Sequence, residues 1–127
     1  MSLYHRDIYW ESWFDKGARK LVKSDFILSK HLIEHLNNQD DKHKIDVGKL
    51  YSIINTLRHT NPLEPFEVEV KDNKVVKCVV RTRYDDNKDI CIVFRYGIII
   101  TAYLDDINDN HETLDYSKYE KEGRNEF

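Results

Sequence analysis

Glycine and proline are scarce in this chain, four and two among 127 residues. No nucleotide-cradling glycine loop and no G-x-S-x-G elbow occurs, so nothing points to a nucleotide-binding enzyme or a covalent hydrolase. Cysteine is almost missing. Cys78 and Cys91 lack C-x-x-C spacing and both fall inside expected strands, which reads as buried free thiols in a reducing, cytoplasmic compartment. No apolar run approaches the roughly 18 residues that a membrane span needs. The opening stretch, MSLYHRDIYWESWFDKGARK, interleaves charges with aromatics and has no apolar h-region, so it does not read as a signal peptide. An excess of positive charge is absent as well. The net charge is −3, so the whole molecule is no electrostatic magnet for nucleic acid.

What is present suits one soluble globular domain. Hydrophobic residues make up 40% and charged residues 34%, and the length is enough to bury a core without disulfide staples. Charge is unevenly placed. From Lys74 to Arg95 six cations face three anions, whereas Asp105 to Asp115 is purely acidic apart from His111. A mildly basic sheet beside an acidic loop is the expectation.

Pro62 and Pro65 divide the chain. Before them the apolar spacing is helical. Residues 6–22 place Ile8, Tyr9, Trp13, Ala18 and Leu21 at three-to-four spacing, with Gly17 as a weak point. A second helix fits SDFILSKHLIEHLNN, capped by Ser24 or Ser29, with Phe26, Leu28, Leu32, Ile33 and Leu36 on its apolar side. Asp46 caps a third, VGKLYSIINTLRH, whose stripe is Val47, Leu50, Ile53, Ile54 and Leu57.

After the prolines the period is two. FEVEV alternates apolar with acidic. VVKCVVRTRY puts Val76, Cys78, Val80, Thr82 and Tyr84 on one face and Val75, Lys77, Val79, Arg81 and Arg83 on the other. ICIVFR is a short buried strand. RYG is a tight turn with Gly97 free to take positive φ, and IIITAYL places Ile98, Ile100, Ala102 and Leu104 opposite Ile99, Thr101 and Tyr103. Turns this short make the strands antiparallel neighbours. The expected fold is α+β: about three N-terminal helices, then a roughly four-stranded antiparallel meander with the helices on one face. The expected organisation is a single domain over residues 1–127. A helical extension at 1–23 precedes an α+β core at 24–119 and a tail at 120–127.

Metal chemistry has little support. D-x-N-x-N at Asp106, Asn108 and Asn110 starts like a calcium loop, but His111 stands where the turn glycine belongs and Ser117 where the bidentate Glu belongs. His31 and His35 share a helix face at i, i+4, without H-E-x-x-H or a cysteine ligand set, and read as solvated histidines. No metal or cofactor is expected. What remains is acid–base work on a phosphodiester. Cleaving RNA through its own 2′-OH needs a base near neutral pKa, donors that hold the phosphate as charge builds, and an acid for the leaving oxygen. Histidine serves as base or acid at neutral pH, and arginine offers a fork that suits phosphate. The chain supplies His31, then Arg81 and Arg83, then Thr101 and His111, with Lys77, Tyr116 and Tyr119 as further substrate contacts. Each has a plainer reading. The arginines suit the wet face of a half-exposed sheet, His111 a polar turn, and Thr101 the ordinary β preference of a branched side chain.

The order of these features resembles a family. S-K-H-x-x-E-H at Ser29–His35 opens a helix, and a second helix and a β-meander follow. The meander contains V-V-R-T-R-Y, and its last long strand reads I-I-T-A-Y-L ahead of N-D-N-H-x-T-L-D. In this the chain resembles the superfamily of small ribonucleases that joins barnase, EndoU, the tRNA-cleaving colicins and the RelE toxins, especially its toxin-tip and prophage-encoded members. The resemblance implies helices ahead of an antiparallel sheet and metal-independent cleavage of RNA, with tRNA as one candidate substrate, to a cyclic phosphate. It also implies roles: His31 as general base, Arg81 and Arg83 as phosphate clamps, Thr101 as a transition-state donor and His111 as general acid. A toxin of this kind implies an immunity or antitoxin protein as partner. Two non-enzymatic readings stand beside it. One is a phage or mobile-element protein-binding module on the same scaffold, favoured by the negative charge and the aromatic N-terminus. The other is an acidic immunity protein that mimics nucleic acid.

Overall fold

In the computed structural model, residues 2–40 and 44–108 are described. Three helices, α1 (Ser12–Lys23), α2 (Lys30–Asn37) and α3 (Val47–Arg58), accompany six strands: β1 (Ser2–His5), β2 (Ile27–Leu28), β3 (Glu67–Lys71), β4 (Lys74–Arg83), β5 (Lys88–Arg95) and β6 (Ile98–Asp106). The strands form one sheet in the order β1-β3-β4-β5-β6-β2. Every neighbour is antiparallel except β2, which runs parallel to β6.

The α+β class holds, but the four-stranded meander does not. The four expected strands are the middle of a six-stranded mixed sheet. Nor do the helices all come first, because β1 precedes α1 and β2 separates α1 from α2. The reason is length. Strands of four and two residues are too short to show a period, and main-chain pairing with β3 and β6 overrides the local pattern.

The helices pack on one face of the sheet around Phe14, Ala18, Val22, Leu32, Leu50 and Ile54. Val68, Cys78, Val80, Ile90, Ile92, Phe94, Ile99 and Ala102 meet them from the strands. The aromatic N-terminus is part of this core. Phe14 is fully buried, with Tyr4, Trp10 and Trp13 rings at 4.9, 5.2 and 4.6 Å. Gly17 lets α1 lie close on the sheet, since a Cβ there would come within 2.6 Å of Val75 Cγ2.

Of the two possible caps for the second helix, Ser29 is used: it accepts from the Leu32 amide and donates to the Ile100 carbonyl, and the helix begins at Lys30. Leu28 therefore belongs to β2 and Phe26 to the link before it, and neither lies on a helical stripe. Asp46 caps α3 as expected, accepting from Lys49 N. Gly97 takes φ +78° in the β5–β6 turn.

Two β-bulges reverse part of the expected side-chain alternation. One lies opposite Glu69/Val70 and turns Val75 onto the helical side, against Gly17. The other lies at Val93/Phe94, where Thr101 pairs with Val93 and Ile99 with Phe94. It leaves Ile100 as the extra residue, so Ile99 packs in the core with Ala102 while Ile100 packs on the opposite face.

The outer sheet face as candidate functional site

The face turned away from the helices carries the candidate chemistry. Register partners share a face, so four transverse rows can be read across it. The first is Leu3, Glu69, Lys77, Arg95, Ile98 and Ile27. The second is His5, Glu67, Val79, Val93 and Thr101, and the third Arg81, Cys91 and Tyr103. Arg83, Asp89 and Asp105 make the fourth. Val79, Cys91 and Val93 form a small apolar cluster in the middle, with Phe66 and Ile100 beside it.

Lys77, Arg81, Arg83 and Thr101 are thus brought to one face. His31 is not. It is exposed on the first turn of α2, a helix that docks through Leu32 into the core on the other side of the sheet. His111, Tyr116 and Tyr119 lie outside the described residues.

The two arginines share one carboxylate. Arg81 Nε donates to Asp89 Oδ2 at 2.9 Å, and Arg83 Nε donates to Asp89 Oδ1 at 3.1 Å. Arg81 Nη2 also donates to the Asp106 carbonyl at 3.1 Å. Burial opposes the Arg81 charge, but the bond to Asp89 and the fields of Cys91, Asp89 and Asp105 outweigh it, and its pKa is raised. With Asp105 beside them, two cations meet two anions, and little net positive field is left for a phosphate. Lys88 is paired with Asp106, and Arg95 lies 3.6 Å from Glu69, an ion pair too long for a hydrogen bond.

Cys91 and Tyr103 stand where a nucleophile or acid would be useful, yet both hold their protons. Burial, then the field of Asp105 and the bond from Cys91 Sγ to Asp105 Oδ2 (3.5 Å), push the thiol up to about 12. Burial and the neighbouring Cys91 raise the Tyr103 phenol as well. Cys78 lies in β4 on the core side, where burial lifts it to about 12. The two thiols are free and buried, on opposite faces of the sheet, and cannot reach each other.

Sequence reasoning passed over His5. It sits in the same row as Thr101, four strands away and so about 19 Å distant at ordinary strand spacing. It is buried, and its Nδ1 accepts from the Asp7 amide at 3.1 Å. No signal could have found it, because placing it on this face requires β1.

Elsewhere, a depression of about 200 Å³ between α3 and β4 is lined by Ser52, Thr56, Thr60, Thr82 and Arg83. The Thr56 and Thr60 hydroxyls there already donate to the Ser52 and Thr56 carbonyls. Among the described residues, no three His, Cys, Asp or Glu side chains are grouped to hold a metal ion, and no helix is long and apolar enough to cross a membrane. No protein-family model, curated protein or solved structure matches this chain.

Proposed function

We propose that this chain is a non-catalytic protein-binding module built on an α+β scaffold. The supporting observation is the sharing of Asp89 by Arg81 and Arg83 while His31 lies across the sheet. A ribonuclease of the expected kind needs free cations and a near-neutral base on one side of a phosphate. Here the two arginines are neutralised in place by Asp89, and Cys91 and Tyr103 beside them keep their protons well above neutral pH. Two buried free thiols suit a reducing cytoplasm.

The ribonuclease reading remains the second, because Lys77, Arg81, Arg83 and Thr101 do share a face. The two are separated by incubating total RNA and tRNA with micromolar protein in EDTA, beside His31→Ala, Arg81→Ala and His111→Ala. The binding-module reading expects four identical lanes without discrete products. Discrete cleavage by the wild type that is lost in the histidine variants would overturn it and restore the metal-independent nuclease.

A further inference from the structure

We infer that the end of the sheet at the β5–β6 turn is the docking surface of this module, and that its partner is an acidic peptide segment carrying apolar side chains. The inference rests on the protein-binding reading above. Tyr96 is 77% exposed at the turn and Ile27 is 69% exposed on β2. They are neighbours, because Ile27 pairs with Ile98 and its amide donates to the Gly97 carbonyl. Ile27 and Ile98 both face outward, opposite in sense to the core-packed Leu28 and Ile99.

This apolar tip is held in place. The Gly97 amide donates to Ser24 Oγ at 3.1 Å, and Arg58 Nη2 donates to the Lys23 and Ser24 carbonyls at 2.7 and 3.0 Å. A backbone already held in place lowers the ordering cost of association at the side chains it carries.

Cations flank the tip. Arg95 and Lys77 follow Ile98 along the same row, so the stripe from Ile27 to Lys77 spans about 15 Å, three strand spacings. Lys71 and Lys74 pair across the β3–β4 turn at the same end, and Lys23 adjoins Ser24. Against them stand Asp25, beside Arg58, and Glu69, beside Arg95, together with Asp72 in the turn. The opposite end of the sheet carries Asp85, Asp86, Asp89, Asp105 and Asp106 against Arg81, Arg83 and Lys88, so anions prevail there and the molecule is polarised along its strands. A partner at the lysine end is therefore acidic. Two isoleucines beside the tyrosine favour a peptide with aliphatic side chains over a nucleic acid, which would present bases for stacking and leave the isoleucines unmatched.

The test is an amide chemical-shift titration of the full chain with a short peptide of alternating glutamate and leucine. A glutamate–serine peptide, oligouridylate and dilution of the protein alone serve as comparisons. Saturable shifts at Ile27, Arg95, Tyr96 and Ile98 are expected from the glutamate–leucine peptide. Affinity should fall about tenfold or more in Tyr96→Ala or Ile27→Asp, and it should also fall with added salt. Equal binding of both peptides, preferential binding of oligouridylate, or shifts on dilution that reveal a second copy on this surface would each overturn the inference. Peptide shifts confined to another surface would sink this site yet leave the binding-module reading standing. Histidine-dependent RNA cleavage would sink that reading whatever the titration shows.

Discussion

Asp89 is the residue on which the reading of the outer face turns. It holds Arg81 and Arg83 at once, and the two bonds differ in burial: Arg81 and Asp89 are 15% and 18% exposed, whereas Arg83 is 61% exposed. Breaking a fully buried pair costs about 3–5 kcal/mol and an exposed one about 0.2–1 kcal/mol. The Arg81–Asp89 coupling falls between these, at about 2 kcal/mol, and the Arg83–Asp89 coupling at about 0.5 kcal/mol. Asp89→Ala should therefore lower Tm by about 8 °C in a domain of this size. Urea unfolding of Asp89→Ala, Arg81→Ala, Arg83→Ala and the two double variants gives both couplings from double-mutant cycles. The same variants bear on function. If the arginines were a phosphate clamp, Arg81→Ala and Arg83→Ala would lose affinity for oligouridylate at moderate salt, whereas the protein-binding reading expects no loss. Two couplings that are equal and below about 0.5 kcal/mol would refute the argument, because the arginines would then be free to hold a phosphate.

Two further consequences concern the packing and the thiols. Gly17→Ala gains about 1 kcal/mol of helix propensity but sets a methyl 2.6 Å from Val75 Cγ2, an overlap that costs about 1–3 kcal/mol. A net loss of stability is expected by urea titration, and a stabilised variant would show that α1 can lift from β4 without cost. For Cys78 and Cys91 the sign follows from linkage: each thiol is raised from an ordinary value near 9.0 to about 12, so the folded chain keeps protons that the unfolded chain releases. The stabilisation is whole below pH 9 and is lost as pH rises towards 12. Thermal melts from pH 8 to 11 should fall steeply in the wild type and less steeply in Cys78→Ala/Cys91→Ala, and parallel slopes would contradict the burial argument.

Much of the fold was legible because it rests on local rules. Asp46 and Ser29 cap where a short acceptor can meet an orphan amide, the polar residues of β4 mark a period of two, and β5 and β6 show as apolar runs bounded by turns. What failed was non-local. Ser2–His5 is a strand because β3 offers it a ladder, and nothing within SLYH says so. Phe26 and Leu28 were counted on a helix because their spacing fits one, yet β6 claims the segment. The bulges were hidden for a different reason: Val75-Val76 and Ile98-Ile99-Ile100 are apolar on every residue, so alternation cannot say which side chain is buried. The placement of Lys77, Arg81, Arg83 and Thr101 on one face survived because these lie beyond the bulges, where polar residues mark the phase.

The site was harder to read than the fold because residue type does not reveal pairing. An arginine in a strand looks the same whether it waits for a phosphate or is spent on a carboxylate. The difference here is the register that sets Asp89 opposite Arg83 and one step diagonally from Arg81, and that register depends on the length of the Asp85–Asn87 turn. That turn is itself fixed by Asp85, whose Oδ1 accepts from the Asn87 and Lys88 amides at 2.8 and 2.7 Å and whose pKa is lowered by those bonds. A short acidic turn thus brings a carboxylate back to two cations and, with Asp86, Asp105 and Asp106, makes that end of the sheet negative. The cations at the Tyr96 end have fewer carboxylates near them. The same strands that neutralise the arginines at one end therefore leave lysines around an apolar tip at the other, and the asymmetry of the sheet favours binding at the turn over chemistry at its centre.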